Sequence, residues 1–98
     1  TVQRMSLGYR EMEAAEQYQL FKSDTCGFCH RVISFLQQNN IEVPLRDINQ
    51  DQQAFREMLA GGGKGMVPCL RIESGDGAVS WMYESMDIMR YLASKQEA

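Results

Sequence analysis

From Tyr18 onward the spacing of apolar residues switches repeatedly between a period of two and a period of 3.6, which limits the chain to a sheet with helices laid on it. Tyr18 to Lys22 reads as a short strand, and the polar Ser23-Asp24-Thr25 turns it into a helix. From Gly27 to about Asn39, the residues Cys29, Val32, Ile33 and Leu36 recur at i, i+3, i+4 and i+7, one buried helical stripe closed by Asn39-Asn40. Ile41, Val43 and Leu45 then alternate with Glu42, Pro44 and Arg46 as in a half-buried strand, with Pro44 marking an edge or strand end. Asn49 or Asp51 can cap a second helix that turns Ala54, Phe55, Met58 and Leu59 inward and stops at Gly61-Gly62-Gly63. Met66 to Ile72 and Ala78 to Tyr83 form a hairpin around Ser74-Gly75-Asp76-Gly77. Ser85 caps a last helix, with Asp87 near its positive end and Ile88, Met89, Tyr91 and Leu92 on its buried side. This order predicts an α/β fold: one right-handed βαβ crossover and a hairpin, giving a mixed four-stranded sheet flanked by helices.

A chain of 98 residues holds one such unit and no second domain. Its 44% hydrophobic and 23% charged residues suit a globule able to bury a core rather than a disordered chain. The domain is expected over residues 18–98. Residues 1–17 are expected to be a loosely docked extension, partly helical, because Met5, Tyr9, Met12 and Ala15 fall near one helical face while Gly8 interrupts it. A net charge of −3 gives no long-range attraction to phosphates, so no nucleic-acid partner is expected. The apolar runs are a few residues long, far short of the roughly 20 a bilayer crossing needs. The sequence starts at Thr1 rather than Met, which leaves room for a longer product with an upstream membrane anchor.

Three cysteines, an odd number, argue against a secreted disulfide scaffold and for a reducing, cytoplasmic compartment. Cys26-Gly27-Phe28-Cys29 has a spacing that zinc sites also use, but a structural zinc needs four ligands, and only Cys69 and the adjoining His30 remain as sulfur or imidazole donors. No metal is therefore expected. Cys26 stands at the mouth of the first helix, where unpaired amides and the helix dipole favour negative charge. Cys29 lies one turn further in, on the apolar stripe. The assignment is Cys26 as exposed nucleophile and Cys29 as buried resolving thiol, closing a reversible disulfide by exchange. The plainer alternative is two buried cysteines packing as small hydrophobes. Cys69 is expected to point into the sheet, and His30 to lie on the helix surface.

Three landmarks in order, Cys26-Gly27-Phe28-Cys29 after a first strand, Val67-Pro68 opening the third, and Glu84-Ser85 followed by Asp87-Ile88, make residues 18 to 95 resemble a glutaredoxin of the thioredoxin fold. The last landmark is closer to the amino-terminal glutathione-binding domain of glutathione transferases, which share that fold. The resemblance implies a cis Val67–Pro68 bond, with the Val67 backbone pairing with glutathione as a short antiparallel strand. It puts Glu84 and Ser85 at the γ-glutamyl group, Lys22 or Lys64 at the glycine carboxylate, and Phe28 beside the groove.

The function so implied is a glutathione-dependent thiol-disulfide oxidoreductase, with glutathione as co-substrate, glutathionylated or disulfide-containing proteins as partners, and a monomeric state. Two other classes stay open. One is a [2Fe-2S] cluster carrier, since members with Gly after the nucleophile bridge a cluster between two protomers through the residue matching Cys26 and two glutathiones. The other is a redox-silent glutathione-binding module.

Overall fold

The computed structural model describes residues 16–97. The helical reading of Met5, Tyr9, Met12 and Ala15, and with it most of the expected extension, lies outside the described residues. The elements run β1 (Gln17–Lys22), α1 (Gly27–Gln38), β2 (Leu45–Asp47), α2 (Gln52–Gly62), β3 (Cys69–Glu73), β4 (Val79–Met82) and α3 (Ser85–Glu97). The sheet order is β2-β1-β3-β4, with β1 parallel to β2 and antiparallel to β3, and β3 antiparallel to β4. This is the mixed four-stranded sheet that the alternating periods predict. No helix among the described residues is long and apolar enough to cross a membrane.

Because successive strand residues face opposite sides, the adjacent and fully buried Leu20 and Phe21 supply two different cores. Leu20 packs with Leu70 and Ile72 of β3, Val32 and Leu36 of α1, and Ile88 and Leu92 of α3. Phe21 packs on the opposite face with Cys69 and with Ala54 and Met58 of α2. Thus α1 and α3 cover one face of the sheet and α2 the other.

Several local expectations are corrected. The strand expected across Ile41 to Leu45 shrinks to Leu45–Asp47. Asn40 takes a left-handed conformation (φ 56°), and the Ile41 N–H returns to the Leu36 carbonyl at 2.9 Å, so Ile41 is buried as part of the helix ending. Pro44 has no N–H to give a ladder, although its carbonyl accepts the Leu20 N–H at 2.9 Å. Leu45 is consequently 45% exposed on an edge strand. Arg46 turns inward instead, its guanidinium 5.4 Å from the Phe21 ring centre and donating to Gln19, Glu57 and Asp51.

Asp51, not Asn49, caps α2, its Oδ1 accepting the Ala54 N–H at 3.2 Å. Ala54 and Met58 are buried as expected, but Phe55 and Leu59 stay largely exposed because the stripe against the sheet is narrower than their spacing suggests. The helix also runs through Gly61 and Gly62 and ends on Gly63 in the left-handed region (φ 86°). A Cβ at Gly61 would collide with the Trp81 ring, and one at Gly62 with the Tyr83 hydroxyl. The two glycines therefore permit close approach rather than stopping the helix. The third strand starts at Cys69 rather than Met66, since Pro68 has no N–H to give a ladder. Finally, the Ile88 N–H bonds to the Glu84 carbonyl at 2.8 Å, so Glu84 holds the cap position and Ser85 is the first helical residue.

Glu16 ties the start of β1 to α3. Its carboxylate accepts from Tyr91 at 2.5 Å and Tyr18 at 2.9 Å, with the Lys95 ammonium 3.9 Å away. The Tyr91 hydrogen bond, aided by Tyr18 and Lys95, lowers the Glu16 pKa against the opposing effect of burial. A carboxyl held below its unfolded value adds stability that is complete above the unfolded pKa and disappears as pH falls through the folded one. Glu16→Gln should therefore cost about 1 kcal/mol near neutrality, a value reduced for solvent screening, and less at about pH 4, below the unfolded carboxyl value. Denaturant titrations of both proteins at the two pH values measure the difference.

Candidate active site

The end of β1 delivers the chain into a turn built around buried Ser23. The Ser23 hydroxyl accepts from Asn49 Nδ2 at 2.6 Å and lies 3.0 Å from the Thr25 hydroxyl, and the Ser23 carbonyl accepts the Cys26 N–H at 3.2 Å. On the outer side, His30 Nε2 meets the Asp24 carbonyl at 2.6 Å. These bonds hold Cys26 in an extended conformation as the cap residue of α1, half-exposed, with its Sγ accepting the Cys29 N–H at 3.2 Å. Cysteine here takes the place usually given to a Ser or Asp oxygen, and its sulfur is presented at the positive end of the helix.

Facing it is the loop before β3. The Val67–Pro68 bond is cis, as the resemblance implies, and the Val67 carbonyl stands 3.7 Å from Cys26 Sγ, in reach of the thiol as donor. Continuing the β3–β4 register two residues past Leu70↔Met82 brings Pro68 opposite Glu84. Glu84 is exposed and Ser85 buried. The candidate residues from the three landmarks thus gather at one end of the sheet.

Cys29 is sealed in the interior, and burial pushes its thiol up to about 12, assisted by its hydrogen bond with Cys26. Lys22 acts on it in the opposite direction through its charge. Cys69 lies across the sheet, in the core under α2, where burial pushes its thiol up to about 11 while a hydrogen bond with Tyr83 works against that. All three thiols are free.

Not every expected residue is available. Lys22 donates to Asp24 at 2.6 Å and Asp47 at 3.3 Å, so its charge is already matched by two carboxylates rather than offered to a ligand. Lys64 is exposed, its ammonium 5.5 Å from the Tyr83 ring centre. Phe28 is 59% exposed at the mouth of α1, with the Arg31 guanidinium 5.9 Å from its ring centre. Among the described residues no group of three or more His, Cys, Asp or Glu side chains is placed to hold a metal ion.

The sequence marks Ser23 only as part of a turn, Asn49 only as a candidate cap and Tyr83 only as a strand end, and does not reveal the Asn49–Ser23 and Tyr83–Lys64 bonds. Of the three, Tyr83 carries a sequence signal in standing directly before Glu84-Ser85. A separate apolar groove of about 490 Å³, between the end of α1 and β2 and lined by Ile33, Leu36, Ile41, Val43 and Leu45 among others, contains none of the candidate residues.

Comparison with known proteins accords with this geometry. The fold is shared with the thioredoxin-like protein BC3987 at 22% identity and a TM-score of 0.61, covering 78% of this chain and 99% of that one. It is shared with TDR1 of Leishmania, a trimeric glutathione transferase, at 26% identity and a TM-score of 0.63, covering 80% of this chain and 17% of that one. A maleylacetoacetate isomerase from Anaeromyxobacter dehalogenans 2CP-1, whose structure has GSH bound in its active site, is similar at 20% identity with a TM-score of 0.63, covering 84% of this chain and 38% of that one. The chain thus spans well under half of the transferase and isomerase chains. None of the curated proteins matches the sequence. The family model for the glutathione S-transferase N-terminal domain matches residues 25–95, and with its landmarks on a thioredoxin-like sheet the chain belongs to that family.

Proposed function

We propose that this protein is a glutathione-dependent thiol-disulfide oxidoreductase with Cys26 as its nucleophile. The observation that carries the reading is the half-exposed Cys26 sulfur at the α1 cap, receiving the Cys29 amide and facing the Val67 backbone across 3.7 Å. The family match and the bound GSH of the similar isomerase support glutathione as the small thiol.

In the first step the Cys26 thiolate attacks the glutathione sulfur of a glutathionylated protein. The protein's sulfur leaves, takes a proton from water, and Cys26 carries a mixed disulfide with glutathione. A second glutathione, as thiolate, attacks the bound glutathione sulfur, forming glutathione disulfide and returning the Cys26 thiolate. The positive end of α1 and the Cys29 amide stabilise the negative charge at the Cys26 sulfur before attack and as it leaves. Glutathione lies against the Val67 backbone as an added strand, with its γ-glutamyl end at Glu84 and Ser85 and its glycine carboxylate toward Lys64, because Lys22 is already paired.

Cys29, with its thiol pushed up to about 12, is almost wholly protonated at neutral pH and attacks slowly, so the one-thiol route carries most of the turnover. Assays of glutathione-dependent release from a glutathionylated peptide, run beside reduction of a protein disulfide, test this. Cys29→Ser should keep the first activity within about twofold and lose most of the second, the part that needs two thiols. In native protein at pH 7.5, iodoacetamide should alkylate Cys26 and spare Cys29 and Cys69, whose burial keeps them protonated. Wild-type protein that alkylates at Cys26 yet cannot use glutathione with any mixed disulfide would contradict the proposal.

A further inference from the structure

We infer that Tyr83 is a positioning residue of this site, its hydroxyl setting the spacing between the two walls of the tripeptide groove. The inference rests on the oxidoreductase reading and adds a residue to it. One wall is the loop from Gly63 to Val67, and the other is the start of α3 at Glu84 and Ser85. Tyr83 belongs by sequence to the second wall and reaches the first.

The Tyr83 hydroxyl donates to the Lys64 carbonyl at 3.0 Å and accepts the Lys64 N–H at 3.3 Å. A phenol can do both at once, and a residue whose N–H and C=O are both taken by one rigid group has its two flanking peptides oriented. Three residues further on is the Val67 carbonyl that faces Cys26 Sγ. On the other side of Lys64 the chain is held by the Gly63 N–H on the Leu59 carbonyl at 3.0 Å. Gly65 lies close against the Phe55 ring, where a Cβ would stand 3.2 Å from it. Hydrogen bonds thus hold the loop at two successive residues, Gly63 and Lys64, and of these only the Tyr83 bonds to Lys64 come from the opposite wall.

Gly62 makes that reach feasible. A Cβ there would occupy the place of the Tyr83 hydroxyl, so the glycine inside α2 is the space through which the phenol meets Lys64. The ring also carries the Lys64 ammonium at 5.5 Å, which keeps the cation assigned to the glycine carboxylate on the same side chain. Tyr83 therefore acts through Lys64 and Val67 on the fit of glutathione, while the reactivity of Cys26 toward a small reagent depends on the α1 cap.

The test uses the full chain carrying Tyr83→Phe, which keeps the ring against Gly62 and under Lys64 and deletes only the hydroxyl. The KM for glutathione should rise about five- to tenfold as both bonds to Lys64 are lost, with kcat changed less than about twofold. Iodoacetamide should alkylate Cys26 at the wild-type rate, and amide exchange at Lys64 and Gly65 should quicken. Gly62→Ala, which displaces the hydroxyl from outside, should shift KM in the same direction. A merely structural tyrosine would lower the amount of active protein and the melting temperature without moving KM. An unchanged KM in both variants, measured where the wild type turns over normally, overturns the positioning role alone. A wild type that does not use glutathione overturns the oxidoreductase reading and this inference with it.

Discussion

Cys26→Ser should abolish glutathione-dependent turnover, by on the order of 10³-fold or more, while leaving the fold intact. The loss follows from chemistry: a serine hydroxyl at neutral pH is neither ionised nor able to form and release a bond to sulfur, so neither step has an attacking or departing group. The retained fold follows from position. Cys26 is half-exposed and sits at the α1 cap, where its sulfur accepts the Cys29 N–H at 3.2 Å. A serine oxygen is among the preferred groups for that place, so α1 should be at least as stable in the variant. Circular dichroism and a melting curve check the fold, and release of glutathione from a glutathionylated peptide checks the activity. Turnover at the wild-type level in this variant would select the redox-silent glutathione-binding module instead.

A fall in stability of about 3–5 kcal/mol is expected for Phe21→Ala, a large part of the roughly 5–15 kcal/mol available to a domain of this kind. Phe21 is fully buried near the end of β1, with the Trp81 ring centre 5.6 Å away and the Arg46 guanidinium 5.4 Å from its own ring centre. Removing it hollows the core between the sheet and α2 and takes away the surface on which Arg46 lies while it holds Asp51 and Glu57 of the α2 region. Phe21→Leu, which keeps most of the volume, should cost under about 1.5 kcal/mol. The midpoint of urea unfolding separates the two variants. Because Phe21 is followed within five residues by Cys26, the Ala variant should also slow Cys26 chemistry when assayed well below its melting temperature.

How far the fold could be read from the chain depended on how local its causes were. The α1 stripe of Cys29, Val32 and Leu36 is buried as its spacing implies, because a helix advances by a constant angle whatever surrounds it. The same spacing in α2 overstated the burial of Phe55 and Leu59, since one helix on one side of a small sheet covers only a narrow strip. Ile41 was recognisable as apolar but not as the residue that folds back under α1, a step that needs Asn40 in the left-handed region. Gly61 and Gly62 looked like a stop signal, and their use as gaps for Trp81 and Tyr83 depends on residues about twenty positions away.

The candidate site divides along the same line. Cys26 and Cys29, Val67-Pro68 and Glu84-Ser85 were legible as short motifs, because a cap, an X-Pro bond and a helix start are each made by neighbouring residues. The pairing of Lys22 was not legible because Asp47, one of the two carboxylates that take its charge, arrives from the next strand over. Tyr83 was missed because its partner Lys64 is nineteen residues earlier in the chain and offers only backbone, which no side-chain pattern marks. The sequence alone therefore determined the order of elements, the placement of two cysteines at a helix mouth and the family resemblance, all consequences of interactions spanning a few residues. Only the tertiary structure decided which charges are spent on one another and which hydroxyl joins the two walls, because those bonds form between segments that distance along the chain keeps apart until the sheet closes.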